Sequence, residues 1–274
     1  MERPAWAPQG IDLTVPSVSR MYDYYLGGSH NFEVDREAAR QAIDAWPTLP
    51  KLMQANRAFM RRALGHAAEQ GVDQFLDIGS GIPTFGNVHE IAQRANPEAR
   101  VVYVDCDPVA VAHSRAVLEG NTRAGVVPAD FRAPTDILRH ETTERLLDFN
   151  RPVALMLVAI LHFIEDREDP WKSVTEIRDA LAPGSLLILS HGSWTAALGN
   201  GGGEAEVEEV YHRFGQALVS RDKASVERFF DGFALVEPGV VSLPHWRPTT
   251  DPDQEDPAAF FAYAGVGRKV GSVG

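Results

Sequence analysis

The chain has 274 residues, with 26 Lys or Arg against 38 Asp or Glu, so its formal net charge is −12. This balance argues against a nucleic-acid partner, because phosphate binding needs an excess of basic side chains. Cys106 is the only cysteine, which excludes a disulfide framework and a zinc site built from several thiolates. The longest apolar run, residues 153–161, is shorter than the roughly 20 residues of a membrane span. With no signal-peptide pattern at the start, we expect a cytoplasmic protein without a membrane partner.

The first 70 residues are predicted to be helical. Apolar side chains recur at helical spacing in residues 17–26, 36–46 and 51–70, and a glycine or proline follows each segment. We expect residues 1–70 to form a helical extension that acts as a lid, and residues 71–274 to form one compact core.

From residue 74 onward, short apolar segments alternate with helical ones. The predicted strands are 74–78, 100–104, 125–128, 153–159, 185–190, 233–239 and 260–268. The predicted helices between the first five strands are 85–96, 108–118, 137–149 and 171–181. Such alternation is typical of a parallel sheet covered on both faces. The sequence therefore predicts an α/β, Rossmann-like fold: a seven-stranded, mostly parallel sheet with an antiparallel pair at the end.

Ligands of such sheets bind beyond the carboxyl ends of the strands, so the residues after each strand are the candidates. After the first strand the sequence reads DIGSGIPT, residues 77–84, with glycines that allow a ligand to lie against the backbone. Thr84 stands where a dinucleotide-binding loop needs a third glycine or an alanine, which argues against a nicotinamide cofactor. No P-loop motif is present, and the acidic Asp77 favours a cationic ligand group over a pyrophosphate.

Carboxylates also follow the second and third strands. Asp105 is placed to accept hydrogen bonds from ribose hydroxyls, whereas Asp107 precedes Pro108 and is expected chiefly to cap the next helix. After the third strand, Asp130 could accept from an adenine amino group and Phe131 could pack on the ring. Taken together, the three sites predict a nucleoside-containing ligand.

The order of these sites is similar to that of Rossmann-like methyltransferases that use S-adenosylmethionine (SAM). Residues 19–32 (SRMYDYYLGGSHNF), residues 56–59 (NRAF) and the loop 77–84 strongly resemble a family of predicted SAM methyltransferases common in actinobacteria. Residues 229–232 and 236–239 also resemble that family, so the likeness extends from about Ser17 to Arg268. Pro83 departs from the general methyltransferase loop but is similar to this family's own pattern.

The resemblance implies a SAM site, with S-adenosylhomocysteine (SAH) as product. The residues expected to bind the cofactor are Asp77, Gly79, Ser80, Gly81, Asp105, Asp107, Asp130, Phe131 and Ala159. The first four are expected at the methionine moiety, Asp105 at the ribose, and Asp130 with Phe131 at the adenine. Residues 159–162 are expected to form the wall near the sulfonium. No metal is expected, since the nine histidines lack metal-ligand spacing.

Two histidines follow strands and are candidate general bases, with burial as structural histidines as the alternative for both: His162 and His191. A further group is expected to form the lid or the acceptor pocket, with ordinary core or surface roles as the alternative: Arg20, Tyr22, Tyr24, Asn31, Asn56 and Arg57. These residues carry the resemblance in the helical extension, which is why a pocket role is expected for them.

The acceptor is expected to be a small molecule, for example a specialised metabolite. An Asn-Pro-Pro-Tyr motif for base amino groups is missing after the fourth strand, and Cys106 is not in a Pro-Cys loop for pyrimidine chemistry. Two alternatives remain open here: a catalytically silent SAM-binding regulatory protein, and a nicotinamide-dependent oxidoreductase. Titration with SAM and NAD separates the oxidoreductase, and turnover of labelled SAM separates the regulatory protein. Assembly into homo-oligomers is also left open.

Overall fold

Apolar strands and intervening helices build one α/β sheet in the computed structural model, which describes residues 11–83, 86–194, 204–249 and 260–271. The strands are β1 (Gln74–Ile78), β2 (Arg100–Asp105), β3 (Ala124–Pro128), β4 (Ala154–Val158), β5 (Leu186–Gly192), β6 (Phe233–Leu235), β7 (Val241–Ser242) and β8 (Ala262–Lys269). Their order is β3-β2-β1-β4-β5-β8-β6, and β7 pairs with β8. The first five strands are parallel, whereas β8 runs antiparallel to β5, β6 and β7. The predicted fold class is confirmed.

Ten α-helices lie within the described residues. They are α1 (Val18–Tyr25), α2 (Glu33–Ala45), α3 (Leu49–Glu69), α4 (Val88–Ala95), α5 (Pro108–Val117), α6 (Pro134–Leu138), α7 (Glu141–Leu146), α8 (Pro170–Ala180), α9 (Glu204–His212) and α10 (Lys223–Glu227). Short 3₁₀ turns follow β4 at Leu161–Phe163 and Asp166–Glu168.

The helical extension and the sheet share one hydrophobic core. Met21, Ala39 and Phe59 of the first three helices belong to the same buried cluster as Phe75 of β1 and Val101 of β2. Since side chains alternate across a strand, the neighbouring residues of these strands point to the opposite face. There they pack in a second cluster with residues of α6, α7, α8 and α10. The sheet is therefore covered on both faces, and α1–α3 cover one of them.

Several element boundaries differ from the predictions. The predicted helix 137–149 is two helices, because His140 interrupts it and its Nδ1 accepts the Thr142 N–H at 3.1 Å. The predicted strand 233–239 ends at Leu235, since Pro238 has no N–H for a ladder and Gly239 has a positive φ of 84°. An eighth strand, the two-residue β7, was not predicted.

The strand order reverses between β1 and β4, which are neighbours. In an open parallel sheet the crevice beyond such a reversal is the usual ligand site. The loops that leave β1 and β4 therefore frame the candidate site.

Candidate functional site

The loop after β1 brings its backbone close to the reversal point. Gly79 and Gly81 have φ values of +71° and +65°, a region that side chains disfavour. A Cβ on Gly79 would lie 2.5 Å from Ile160 Cδ1, so only glycine fits there. The N–H groups of Gly79 and Ser80 donate to the Val104 carbonyl at 2.8 and 3.1 Å. This part of the loop is thus attached to the end of β2, whereas Thr84 lies outside the described residues.

Asp105 at the end of β2 holds the same loop through its side chain. Its carboxylate accepts the Gly81 N–H at 2.7 Å and the Asp107 N–H at 2.8 Å. Burial raises the pKa of Asp105 to about 6, although these two hydrogen bonds act in the opposite direction. Asp105 therefore combines a loop-positioning role with a buried acceptor at the crevice.

Asp77 on β1 is also buried, and its pKa is also shifted. Burial raises its pKa to about 7, with nearby Asp105 adding to the rise and Arg57 opposing it. A carboxyl with such a pKa accepts a cationic ligand readily, because the ligand's charge favours the ionised form.

After β3, the carboxylate of Asp130 is already hydrogen-bonded, and the side chain of Phe131 is buried. Arg132 donates to Asp130 through Nη2 at 2.6 Å and Nε at 2.9 Å, and these hydrogen bonds lower the pKa of Asp130. Phe131 is buried. The carboxylate is therefore ionised, and a ligand amino group there would have to share it with Arg132.

Asp107 lies in a helix cap. It accepts the Val109 N–H at 2.7 Å at the start of α5, and it also accepts the hydroxyl of Ser17 just before α1. Asp107 lines neither of the two hollows described next. The predicted cap role is confirmed, and the accompanying cofactor-binding role is not supported.

Two hollows meet at the carboxyl ends of the strands. The polar cleft, of about 1220 Å³ with its open part, is lined by residues that include Gly79, Asp105, Cys106, Asp130, Phe131, Arg132, Ala159, Glu165 and Glu168. The apolar cavity, of about 1110 Å³ with its open part, is lined by residues that include Tyr22, Tyr25, Trp46, Leu52, Asn56, Arg57, Asp77, Gly79, Ser80, Gly81, Ala159, His162, Phe163, Ser190, Trp194 and Tyr211. They share Val18, Ser19, Gly79, Ala159 and Phe163, so a ligand at Gly79 and Ala159 reaches both.

A chain of hydrogen bonds links the helical extension to the residue that follows β4. The Ala159 N–H donates to Ser190 Oγ at 3.0 Å, and that hydroxyl donates to Asn56 Oδ1 at 2.6 Å. The Asn56 amide in turn donates to the Tyr22 hydroxyl at 3.0 Å. Ala159 has a positive φ of 59°, a conformation that costs a non-glycine residue about 1–2 kcal/mol. The chain holds Ala159 in that conformation between the two hollows.

The two candidate bases have different environments. His162 lines the apolar cavity, where burial, aided by Arg221, lowers its pKa to about 3. Its Nδ1 is 3.2 Å from the Gly192 N–H, so Nδ1 accepts and Nε2 carries the proton of the neutral ring. The Nδ1 lone pair of His162 is therefore used by the Gly192 N–H, and its role as a general base stays a prediction.

His191 is held on both ring nitrogens. Nε2 accepts from Arg221 Nη1 at 2.9 Å, and Nδ1 donates to the Gly192 carbonyl. Arg221 also donates to the carbonyls of Leu161 and Ile164, at 2.8 and 2.7 Å. Burial, aided by the neighbouring His162 and Arg221, lowers the pKa of His191 well below its usual value. His191 thus supports the loop after β4 through Arg221, and its role as a base stays a prediction.

Three residues expected at the lid or pocket contact other residues of the helical extension, and their expected role stays a prediction. Arg20 pairs with buried Asp35 at 2.9 Å, and Asn31 donates to Asp23 at 2.8 Å. Tyr24 is half-buried against the core of the extension. None of the three lines the apolar cavity or the polar cleft. Tyr22, Asn56 and Arg57 do line the apolar cavity, as expected.

Sequence reasoning missed several side chains of the apolar cavity. Ser190 lies near the end of β5, where the strand-end rule could have found it. Tyr211 lies on α9, and its hydroxyl is 3.1 Å from that of Tyr25 on α1. Trp46 follows α2. No local pattern marks Tyr211 or Trp46, because each reaches the cavity only through tertiary packing.

Within the described parts of the chain, no three His, Cys, Asp or Glu side chains gather as a metal ion would require. Over the same residues, no helix has both the length and the apolar character needed to cross a membrane.

The profile of the S-adenosyl methyltransferase family matches residues 4–270. The chain belongs to this family. A DUF574 family protein from Streptomyces avermitilis is 39% identical with a TM-score of 0.89, over 94% of this chain and 99% of that one. A candidate methyltransferase from Thermobifida fusca is 40% identical with a TM-score of 0.89, over 98% of this chain and all of that one (100%). The predicted family is confirmed.

An O-methyltransferase family protein from Burkholderia thailandensis shares the fold alone. It is 12% identical with a TM-score of 0.50, over 85% of this chain and 63% of that one. No match was found among curated proteins. The methyltransferase is thus a SAM-dependent enzyme by family, with an α/β sheet of the expected type.

Proposed function

We propose that the methyltransferase transfers a methyl group from SAM to a small-molecule acceptor bound in the apolar cavity. The observation that carries this proposal is the junction of the two hollows at Gly79 and Ala159, beyond the point where the strand order reverses. A ligand that spans the junction places one end in a polar environment and its centre beside an apolar one.

The polar cleft suits the adenosine part of the cofactor. Asp105 offers a buried carboxylate oxygen within reach of ribose hydroxyls, and Phe131 offers an apolar surface for a base. Charged acceptors form the stronger class of hydrogen bonds, so Asp105 is the residue on which affinity should depend most. Asp130 would contribute through whatever acceptor capacity Arg132 leaves.

The methionine part of SAM carries one ammonium and one carboxylate. Among the described residues that line the apolar cavity, Asp77 and Arg57 are the charged ones, with opposite signs. A Cβ on Gly81 would meet nothing within 4 Å, so the backbone there has open space beside it. Opposite charges on both sides of a glycine cradle fit a zwitterionic amino-acid end, which is why we assign these residues to it.

When bound, SAM supplies a methyl group on a positively charged sulfur, and its transfer leaves SAH. The chain's own contribution is to position and to exclude water, because the cavity walls beside Ala159 are largely apolar. His162 lines this cavity, and its Nδ1 accepts the Gly192 N–H, so that nitrogen is not free to take a proton. We infer that the proton leaving the acceptor passes to solvent at the open part of the cavity and is not taken by a histidine.

A small molecule of bacterial specialised metabolism fits this arrangement better than a nucleic acid. The cavity is bounded by aromatic side chains from α1, α9 and the ends of β5 and β8, and the chain carries a net charge of −12. We place the reaction in the cytoplasm, where the free thiol of Cys106 is stable.

The test is calorimetric titration of SAM into the wild type, Asp105→Ala and Asp73→Ala. Asp73 precedes β1 at the opposite edge of the sheet and pairs with Arg151, so it is a matched carboxylate away from the site. Loss of a charged acceptor costs about 1.5–3 kcal/mol. We expect Asp105→Ala to raise the SAM dissociation constant at least tenfold and Asp73→Ala to leave it unchanged. Equal affinities in all three proteins would disprove the assignment.

Turnover is tested separately with methyl-labelled SAM. The protein is incubated with fractions of a bacterial metabolite extract, and the label is followed into small molecules and into nucleic acid. Label in a small-molecule fraction supports the proposal, and label in nucleic acid alone contradicts it.

A further inference from the structure

The wall of the apolar cavity is unusually rich in aromatic rings from separate elements. The Trp46 ring lies 4.9 Å from that of Phe261 and 6.5 Å from that of Trp194. On another side, Phe163 lies 6.0 Å from Tyr211. Rings that converge from several elements favour a flat apolar guest, because offset and edge-to-face contacts add to the burial of apolar surface.

The cavity offers little to a charged guest. Among the described residues that line it, the charged side chains are those of Asp77 and Arg57, and both are matched to the methionine end of SAM under the proposed function, on which this inference rests. His162 and His191 are neutral, since burial lowers the pKa of each. An ionised acceptor would lose its hydration without gaining a counter-charge, which is strongly unfavourable.

One polar feature of the wall has no role in the proposed cofactor site. The hydroxyls of Tyr25 and Tyr211 are 3.1 Å apart and both side chains are buried. Burial keeps both phenols protonated, with the pKa of Tyr211 raised to about 12. Two hydroxyls carry two protons, and their mutual hydrogen bond uses one. The pair therefore retains one O–H that can donate to a guest.

From this geometry we infer that the acceptor is an uncharged aromatic alcohol or phenol, sandwiched by the rings of the apolar cavity and oriented by a hydrogen bond from the Tyr25–Tyr211 pair. The tyrosines are positioning residues: they hold an oxygen of the guest while the rings set its plane. In the transfer the guest's oxygen would bond to the methyl carbon while the carbon–sulfur bond breaks and its electron pair stays on sulfur, which leaves SAH, and the hydroxyl proton would pass to solvent at the open part of the cavity.

The experiment uses the full chain saturated with SAH, and measures binding by calorimetry. The probes are 2-naphthol and 4-hydroxybiphenyl, with 2-naphthoate and 2-naphthyl phosphate as charged counterparts. We expect the neutral phenols to bind at least tenfold more tightly than either anion. Equal or tighter binding of an anion, or no binding of either phenol, would overturn the inference.

The variants separate the tyrosine pair from general packing. Tyr25→Phe combined with Tyr211→Phe keeps both rings and removes both hydroxyls, and we expect the 2-naphthol dissociation constant to rise at least fivefold. Tyr263→Phe is the control, because Tyr263 is half-buried on β8 and lines neither the apolar cavity nor the polar cleft. An unchanged constant in the double variant would refute the role of the pair.

Two further measurements distinguish a wrong acceptor class from a wrong cofactor site. SAH binding is measured first in every protein, and a melting curve checks that each variant is folded. SAH binding without phenol binding overturns the acceptor class alone. No binding of SAM or SAH by the wild type overturns the cofactor site as well.

Discussion

Replacing Asp77 by asparagine should change how the stability of the methyltransferase depends on pH. Burial raises the pKa of Asp77 to about 7, against an ordinary value of 3.8 in the unfolded chain. Between these values the folded state holds a proton that the unfolded state has lost. The stabilisation is therefore fully present below pH 3.8 and is lost as the pH rises through about 7.

The magnitude follows from the two pKa values. One pH unit within the window changes the free energy of unfolding by about 1.4 kcal/mol per proton. From pH 5 to pH 8 the contribution of Asp77 should fall by roughly 2–3 kcal/mol. The asparagine of the variant cannot ionise, so the variant gains stability relative to the wild type over this range.

The assay is urea unfolding of the wild type and Asp77→Asn at pH 5, 6, 7 and 8, without ligand. Asp130→Asn is the control, because Arg132 lowers the pKa of Asp130 and its titration is complete below pH 5. The free energy of unfolding of Asp77→Asn minus that of the wild type should increase with pH. The same difference for Asp130→Asn should stay constant. A difference for Asp77→Asn that does not depend on pH would refute the reasoning.

Three further outcomes are expected. SAM should bind severalfold more tightly at pH 7.5 than at pH 6 and release a proton, because its ammonium favours ionised Asp77; calorimetry in two buffers of different ionisation enthalpy measures this. Gly28→Ala should destabilise by about 1–3 kcal/mol, since its Cβ would lie 2.0 Å from Asp23 Oδ1; Gly65→Ala, in open helix, should not. Asn56→Ala should cost about 1–3 kcal/mol in urea unfolding by leaving buried partners unpaired.

The part of the site that local rules describe could be predicted from the sequence. A carboxylate at the carboxyl end of a buried strand, or just after it, must lie at that edge of the sheet, which is why Asp77, Asp105 and Asp130 were found. The same rule found Ala159 and His162. Their proposed contacts with the cofactor stay predictions until binding is measured.

The rest depended on contacts between distant parts of the chain. Arg221, 30 residues later, donates a hydrogen bond to His191 Nε2, so that ring nitrogen is already engaged. The sequence does not indicate that Asp35 pairs with Arg20, because an acidic residue in the first turn of a helix is common. Tyr211 meets Tyr25 across 186 residues. Periodicity and motif spacing carry no information about such pairs.

Arg20 and Asn31 belong to residues 19–32, which carry the family resemblance, and both make buried contacts within the helical extension. Arg20 with Asp35, and Asn31 with Asp23, hold the shape of the segment that contains them. Contacts of this kind preserve a scaffold and carry no information about the acceptor. Acceptor choice should vary with the rings at Trp46, Trp194 and Phe261, and sorting the family by those three positions would group its members by chemistry.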